Sequence, residues 1–157
     1  MIFLAVGTQL PFDRLVRAVD AWAVERGRQD VVGQIGDARF VPAMVRARRF
    51  IEPAEFSRLV ADASVLIAHA GMGSILGAIE LSKPIIIMPR SAALGEHRND
   101  HQLATAERFS SKEGVHVAWN EGDIAGLLDR ERSLRASREA GGVSPQLIGA
   151  IRDFIAG

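Results

Sequence analysis

The 157-residue chain has no cysteine and no tyrosine. Without cysteine, disulfides, thiolate metal ligands and cysteine nucleophiles are all excluded. Without tyrosine, the tyrosine-lysine acid chemistry of many nicotinamide-dependent reductases has no acid. Charge of one sign is lacking too, because 19 Lys and Arg balance 19 Asp and Glu. A neutral chain with scattered basic residues offers no electrostatic footprint for nucleic acid or for an anionic membrane surface. Its one basic cluster, Arg46, Arg48 and Arg49, reads as a solvated loop in preference to a phosphate contact. No apolar run approaches the roughly 18 residues needed to cross a bilayer. Residues 1–6 carry no basic leader and run directly into a turn, so they read as a first strand rather than a signal peptide. The expected location is therefore cytoplasmic.

What is present suits one globular domain over residues 1–157: 48% of residues are hydrophobic and 24% charged, close to globular averages. The apolar runs at 2–6, 65–68 and 85–88 are short and continuous, as in strands covered on both faces. Weaker strands are expected at 31–35, 49–51 and 115–119. Helical patterns fall between them, over 12–26, 53–60, 73–82, 99–109, 123–128 and 146–155. In the first, Leu15, Val16, Val19, Trp22 and Ala23 share one face. In the last, Leu147, Ile148, Ile151, Phe154 and Ile155 do so, a face expected to pack on the sheet, with docking on a partner as the alternative. Strand and helix alternate throughout. The expected fold is α/β, a Rossmann-like parallel sheet with helices on both faces.

Polar or glycine-rich loops follow three strands: Gly7-Thr8-Gln9, the stretch HAGMGS from His69 to Ser74, and residues 89–98. In open parallel sheets ligands bind just beyond the carboxyl ends of strands, so these loops are candidates for one site. Gly71 and Gly73 let backbone approach a ligand, and the helix that follows opens with unpaired N–H groups suited to an anion. Ser74 adds a hydroxyl. His69 can donate from a ring nitrogen to a phosphate oxygen, although alone it reads equally as a hydrogen-bonded strand cap. The spacing Gly71-x-Gly73-x-x-x-Gly77 is one residue longer than the dinucleotide fingerprint and follows the fourth strand, not the first. His97 and His101 stand four apart, as on one helix face, but have no third ligand at a catalytic metal spacing. The run from Gly95 to Gln102 is densely polar. One helix cap, Asn99 or Asp100, accounts for part of it, and sugar hydroxyls would suit the rest.

In order and spacing, VGTQ with Phe12-Asp13, HAGMGSI, KPIIIMPR and NDHQ resemble the C-terminal domain of family 28 glycosyltransferases, over most of residues 1–119. The chain is most similar to stand-alone subunits: the catalytic subunit of the dolichol-pathway N-acetylglucosaminyltransferase, and bacterial exopolysaccharide subunits, some of them glucuronosyltransferases. The stretch 89–102 favours the bacterial type. The resemblance implies the C-terminal half of a GT-B glycosyltransferase that holds a UDP-sugar as substrate, with no metal or other cofactor. Carried over by position, His69, Gly71, Gly73 and Ser74 would contact the diphosphate, with Gly7 and Thr8 closing over it. Asp100, His101 and Gln102 would face the sugar, with Asn99 and Arg90 also on the sugar and nucleoside side. Arg90 or Arg98 would help His69 stabilise the departing UDP. Family members with both domains often carry a ribose-binding glutamate seven residues before the proline of the fifth strand. Here that position is Gly77, and Glu80, a helical turn later, is the candidate substitute.

The acceptor base lies on the other domain in the resembling two-domain enzymes. The implied partners are therefore a membrane-associated subunit carrying the acceptor site and a lipid-linked saccharide acceptor, with recruitment to the inner face of the membrane. Two rival readings stand beside this one: a non-catalytic nucleotide-sugar-binding regulatory module, and an NADP-dependent reductase resting on the glycine spacing.

Overall fold

Short strands, buried at the centre of the sheet, set the architecture of the computed structural model, which describes residues 1–138. The strands are β1 (Ile2–Ala5), β2 (Val31–Gln34), β3 (Arg46–Arg48), β4 (Val65–His69), β5 (Ile85–Met88) and β6 (Val115–Val117). Between them run α1 (Asp13–Arg26), α2 (Pro53–Asp62), α3 (Met72–Glu80), α4 (His101–Phe109) and α5 (Gly122–Asp129). All pairings are parallel, and the sheet order is β3-β2-β1-β4-β5-β6. The expected α/β class is thus the one observed. The C-terminal pattern over 146–155 lies outside the described residues.

The period-two geometry of a strand explains why apolar residues run continuously here. In β1, Ile2 and Leu4 join Leu15, Val19 and Trp22 of α1 and Ile124 and Leu128 of α5. Phe3 and Ala5 point the other way and join Phe56 and Val60 of α2, Ile75 of α3 and Ala106 of α4. Phe3 meets Phe56 edge to face, with ring centroids 4.9 Å apart. Burying such a side chain stabilises by about 2–3 kcal/mol, and both faces of the sheet contribute.

The ends of α1 follow the rules for helix termini. Phe12, fully buried, stands at the N-cap and its carbonyl accepts from Leu15 and Val16, so the helix begins one residue later than its apolar pattern. Gly27 closes it in the left-handed conformation (φ 63°), with the Arg28 amide reaching back to the Ala23 carbonyl at 2.8 Å. Within α1, the buried Asp20 carboxylate accepts from the amides of Ala43, Met44 and Val45 at 2.8–3.0 Å. Burial would raise its pKa, but those three N–H groups outweigh it and hold Asp20 below the usual carboxylate range. The long connection between β2 and β3 is tied down by that carboxylate.

Two strands differ from expectation. β3 lies at Arg46–Arg48, not at 49–51, because the Ile51 amide bonds to the Gln34 side-chain Oε1 (2.7 Å) instead of to a neighbouring strand. Arg46 and Arg48 therefore stand on an edge strand, Arg48 paired to Glu55 at 2.7 Å, and Arg49 just beyond it pairs with Asp37 at 2.6 Å. Charged side chains on an edge discourage pairing with other chains. β6 stops at Val117; the Trp119 amide turns instead to Asp123 Oδ2 at 2.9 Å.

Candidate functional site

β1 and β4 are neighbours in the sheet, while the chain after β1 winds towards β2 and β3 and the chain after β4 winds towards β5 and β6. At such a switch point the loops leaving the two strands diverge and open a crevice. A cavity of about 250 Å³ lies there, lined by Gly7, Thr8, Gln9, His69, Gly71, Arg90, His97 and Gln102. A larger concavity, about 530 Å³, lies where α1 and α5 end. Both of its carboxylates are already taken, Asp129 by Arg26 and Glu131 by Arg28, and it holds none of the sequence-derived candidates. Chemistry and fold both favour the smaller cavity.

His69 is the last residue of β4, opposite Met88 of β5. Its Nδ1 is enclosed and has no hydrogen-bond partner of good geometry. Burial, then the charges of Arg90 and His97, push the imidazole down to about 4, with the Ala5 backbone opposing part of that shift. The ring is therefore neutral at neutral pH and offers one N–H. Gly71 is glycine because of this ring: a Cβ there would stand 2.5 Å from His69 Nε2. Gly7 has a different requirement, a left-handed backbone (φ 79°), which turns the loop over the cavity.

Gly71 is also the N-cap of α3, and no side chain caps that end. The amides of Met72, Gly73 and Ser74 lack intrahelical acceptors by the geometry of any helix start, and the partial positive charge of the helix gathers there. Ser74 is buried on this turn. Gly73 and Ser74 belong to the same helix start but do not line the cavity, whose wall on this side is drawn by His69 and Gly71. Gly77 is buried inside α3, so the glycine spacing does not form a dinucleotide loop.

Arg90, expected on the sugar and nucleoside side, lines the cavity and also ties its walls together. Only 2% exposed, it donates to the carbonyls of Leu10 (2.6 Å), Pro11 (3.3 Å), Glu96 (3.2 Å) and Val6, and stacks over Phe12 at 4.8 Å. Both Nη atoms are thereby engaged with the loops after β1 and β5. Burial lowers its pKa to about 10, with Glu96 opposing, so it remains a cation beside the cavity. An anion in the cavity would feel that charge, since Arg90 is among the residues that line it.

The polar run before α4 is largely engaged in its own folding. Asn99 Oδ1 accepts from the His101 amide two residues on (3.0 Å), a local turn just ahead of α4, whose N-cap position is Asp100. Asp100 Oδ1 accepts from the Ala92 amide at 3.0 Å. Asn99, Asp100 and the exposed His101 do not line the cavity. Gln102 does, and since its Oε1 takes the Arg90 amide (3.1 Å), its N–H₂ end is what it offers. His97 precedes the helix that His101 begins, so the two do not share a helix face. Among the described residues no group of three His, Cys, Asp or Glu is placed to hold a metal. Glu80 ends α3, about 12 Å along the axis from its first residue at 1.5 Å per residue, and is not brought to the cavity.

Sequence reasoning left four participants without a role. Gln9 and His97 line the cavity, and Arg14 and Glu96 brace it. Arg14 forks onto Glu96 at 2.8 and 2.9 Å and also reaches the Pro89 carbonyl and Glu121. Their partners are 82 residues apart, which no local pattern reveals.

A six-stranded parallel sheet in this order, with a polar cavity at its switch point, defines a Rossmann-like ligand-binding domain. The family model for the glycosyltransferase family 28 C-terminal domain matches residues 1–127, and the chain belongs to that family. Among solved structures it is similar to ALG13 (TM-score 0.62, 19% identity, covering 99% of this chain and 96% of that one). It is also similar to the glycotransferase of kitacinnamycin (TM-score 0.60, 18% identity), with 99% of this chain covered. The chain spans 40% of the length of that protein. At these identities the likeness is one of fold. A search of curated protein sequences found no significant match.

Proposed function

We propose that the chain is the donor-binding, catalytic subunit of a two-component glycosyltransferase. It moves a hexosyl group, with glucuronosyl as one candidate, from a UDP-sugar to a lipid-linked acceptor in polysaccharide synthesis. The observation that carries this reading is the cavity at the β1/β4 switch point, where an uncapped helix start, the His69 N–H and the Arg90 cation converge. Three sources of positive potential around a small polar cavity suit a diphosphate.

In the proposed reaction the acceptor hydroxyl oxygen bonds to the anomeric carbon as the bond from that carbon to the β-phosphate oxygen breaks. UDP leaves with the bonding electrons, and the acceptor proton passes to a base. The α3 amides and the field of Arg90 meet the charge that develops on UDP. The donor's UDP-sugar is the substrate, and the step as written uses no cofactor. Gly7 and Thr8 cover the phosphates, and Gln102 offers its N–H₂ to the sugar.

The base and acceptor belong to a membrane-associated partner. Two facts support that assignment: the family model describes a C-terminal domain, and the cavity, at about 250 Å³, is smaller than the roughly 300–1,000 Å³ of complete ligand sites. A nucleotide sugar would leave much of its surface uncovered unless a second body closed over it. Among the described residues no helix is long and apolar enough to cross a membrane, so recruitment to the cytoplasmic face would fall to the partner.

The test is a thermal-shift comparison of UDP, ADP and several UDP-sugars, followed by sugar transfer with and without a co-expressed partner. UDP at 100 times its Kd should stabilise by about 2.7 kcal/mol, ADP much less, and transfer should appear only with the partner. Absence of any uridine-nucleotide shift overturns the donor site. Binding without transfer in every pairing supports a regulatory module instead.

A further inference from the structure

His97 lines the cavity on the side opposite β4, in the loop between β5 and α4. Its Nδ1 accepts the Asn99 amide at 3.4 Å. With Nδ1 occupied as an acceptor, the ring N–H sits on Nε2, and the residue is a donor at its outer edge. The peptide that carries it is held firmly. Glu96, 8% exposed, receives the Arg14 fork at 2.8 and 2.9 Å and the Ser91 amide at 2.9 Å, while its carbonyl accepts from Arg90 at 3.2 Å. Those bonds anchor the backbone one residue away from His97, which ordinary loop side chains lack.

The two imidazoles line the same cavity. Two rings and the Arg90 cation therefore border a space with no carboxylate in its wall. An anion is the guest that such a wall stabilises, and a diphosphate has oxygens enough for donors on both sides.

We propose that His97 is a second ligand of the diphosphate, donating its Nε2–H to a phosphoryl oxygen from the β5–α4 side while His69 and the α3 amides hold the β4 side. The proposal rests on the donor-site reading above. It assigns to His97 a contact with the reacting group rather than a role in loop folding.

Calorimetric titration of the full chain with uridine, UMP and UDP separates these roles. His97→Ala is expected to weaken UDP about tenfold or more, the scale of a hydrogen bond to a charged group, and to leave uridine unchanged. His97→Gln, which keeps an N–H donor, should recover most of the UDP affinity. Unchanged UDP affinity in His97→Ala, or equal losses for uridine and UDP, overturns the proposal. Should His97→Ala not fold, His97→Phe keeps the ring volume without its nitrogens and carries the same comparison. If wild-type chain binds no uridine nucleotide, the donor reading itself fails and this inference falls with it; wild-type binding with an insensitive His97 variant sinks the inference alone.

Discussion

Gly71 has no Cβ because the His69 imidazole fills the space where one would stand, 2.5 Å from Nε2. The ring is the free end of a side chain, so Gly71→Ala should displace it without unfolding the domain, at a cost below about 2 kcal/mol. The displaced ring would no longer border the diphosphate, and UDP affinity should fall about tenfold by calorimetry. Unchanged affinity would mean that His69 is only a packed strand end. A glycine that in sequence reads as an opening for ligand is thus, at the residue scale, an accommodation for a neighbouring side chain that lines the cavity. Ser74 and Gly73 are placed differently, in the first turn of α3 and outside the cavity lining. Arg90 is a third kind of contributor, whose donors hold loops while its charge stays available.

Between elements, the fork from Arg14 on α1 to Glu96 binds the loop after β5 to the helix after β1. The pair is mostly enclosed, with side-chain exposures of 18% and 9%. Removing one member leaves the other charge poorly solvated. Arg14→Ala should therefore destabilise by about 3 kcal/mol in urea unfolding, and Arg14→Lys should restore only part of that, because an ammonium lacks the planar fork. A loss under about 0.5 kcal/mol would place the pair among ordinary surface ion pairs. The same tie bears on function, since it fixes Glu96 and with it the loop that brings Arg90, His97 and Gln102 to one cavity.

For the molecule as a whole, the depressed His69 links stability to pH. In the unfolded chain this histidine binds a proton near pH 6.5, whereas in the fold it resists protonation down to about 4. The unfolded state takes up the extra proton across that window, so stability is complete above 6.5 and declines as pH falls towards 4. The loss attributable to His69 is up to about 3 kcal/mol, less where the cavity side of the ring is wet. Urea midpoints between pH 7.5 and 4 measure it, and His69→Gln should flatten that limb of the curve. Asp20 adds a decline at lower pH, because its three amide bonds favour the carboxylate and are weakened once it protonates. An acid limb equally steep in wild type and His69→Gln would remove His69 from this account.

Much of the fold was legible in the sequence, since continuous apolar runs in β1, β4 and β5 leave no polar face and helical periodicity marks the layers between them. The HAGMGS stretch and the Gly7 loop were legible as site elements for a local reason: strand, turn and helix start are contiguous in the chain. Tertiary structure alone decided the rest. Whether Arg90 touches a ligand or carbonyls depends on loops 80 residues away in sequence. The paths of Asn99 and Asp100 into local bonds, and the distance of Glu80 from the cavity, depend on where α3 and α4 begin and end. Sequence determines which groups exist and which strand each follows. Packing determines which of their hydrogen bonds are already taken, and an occupied donor supports a site by position and charge instead of by contact.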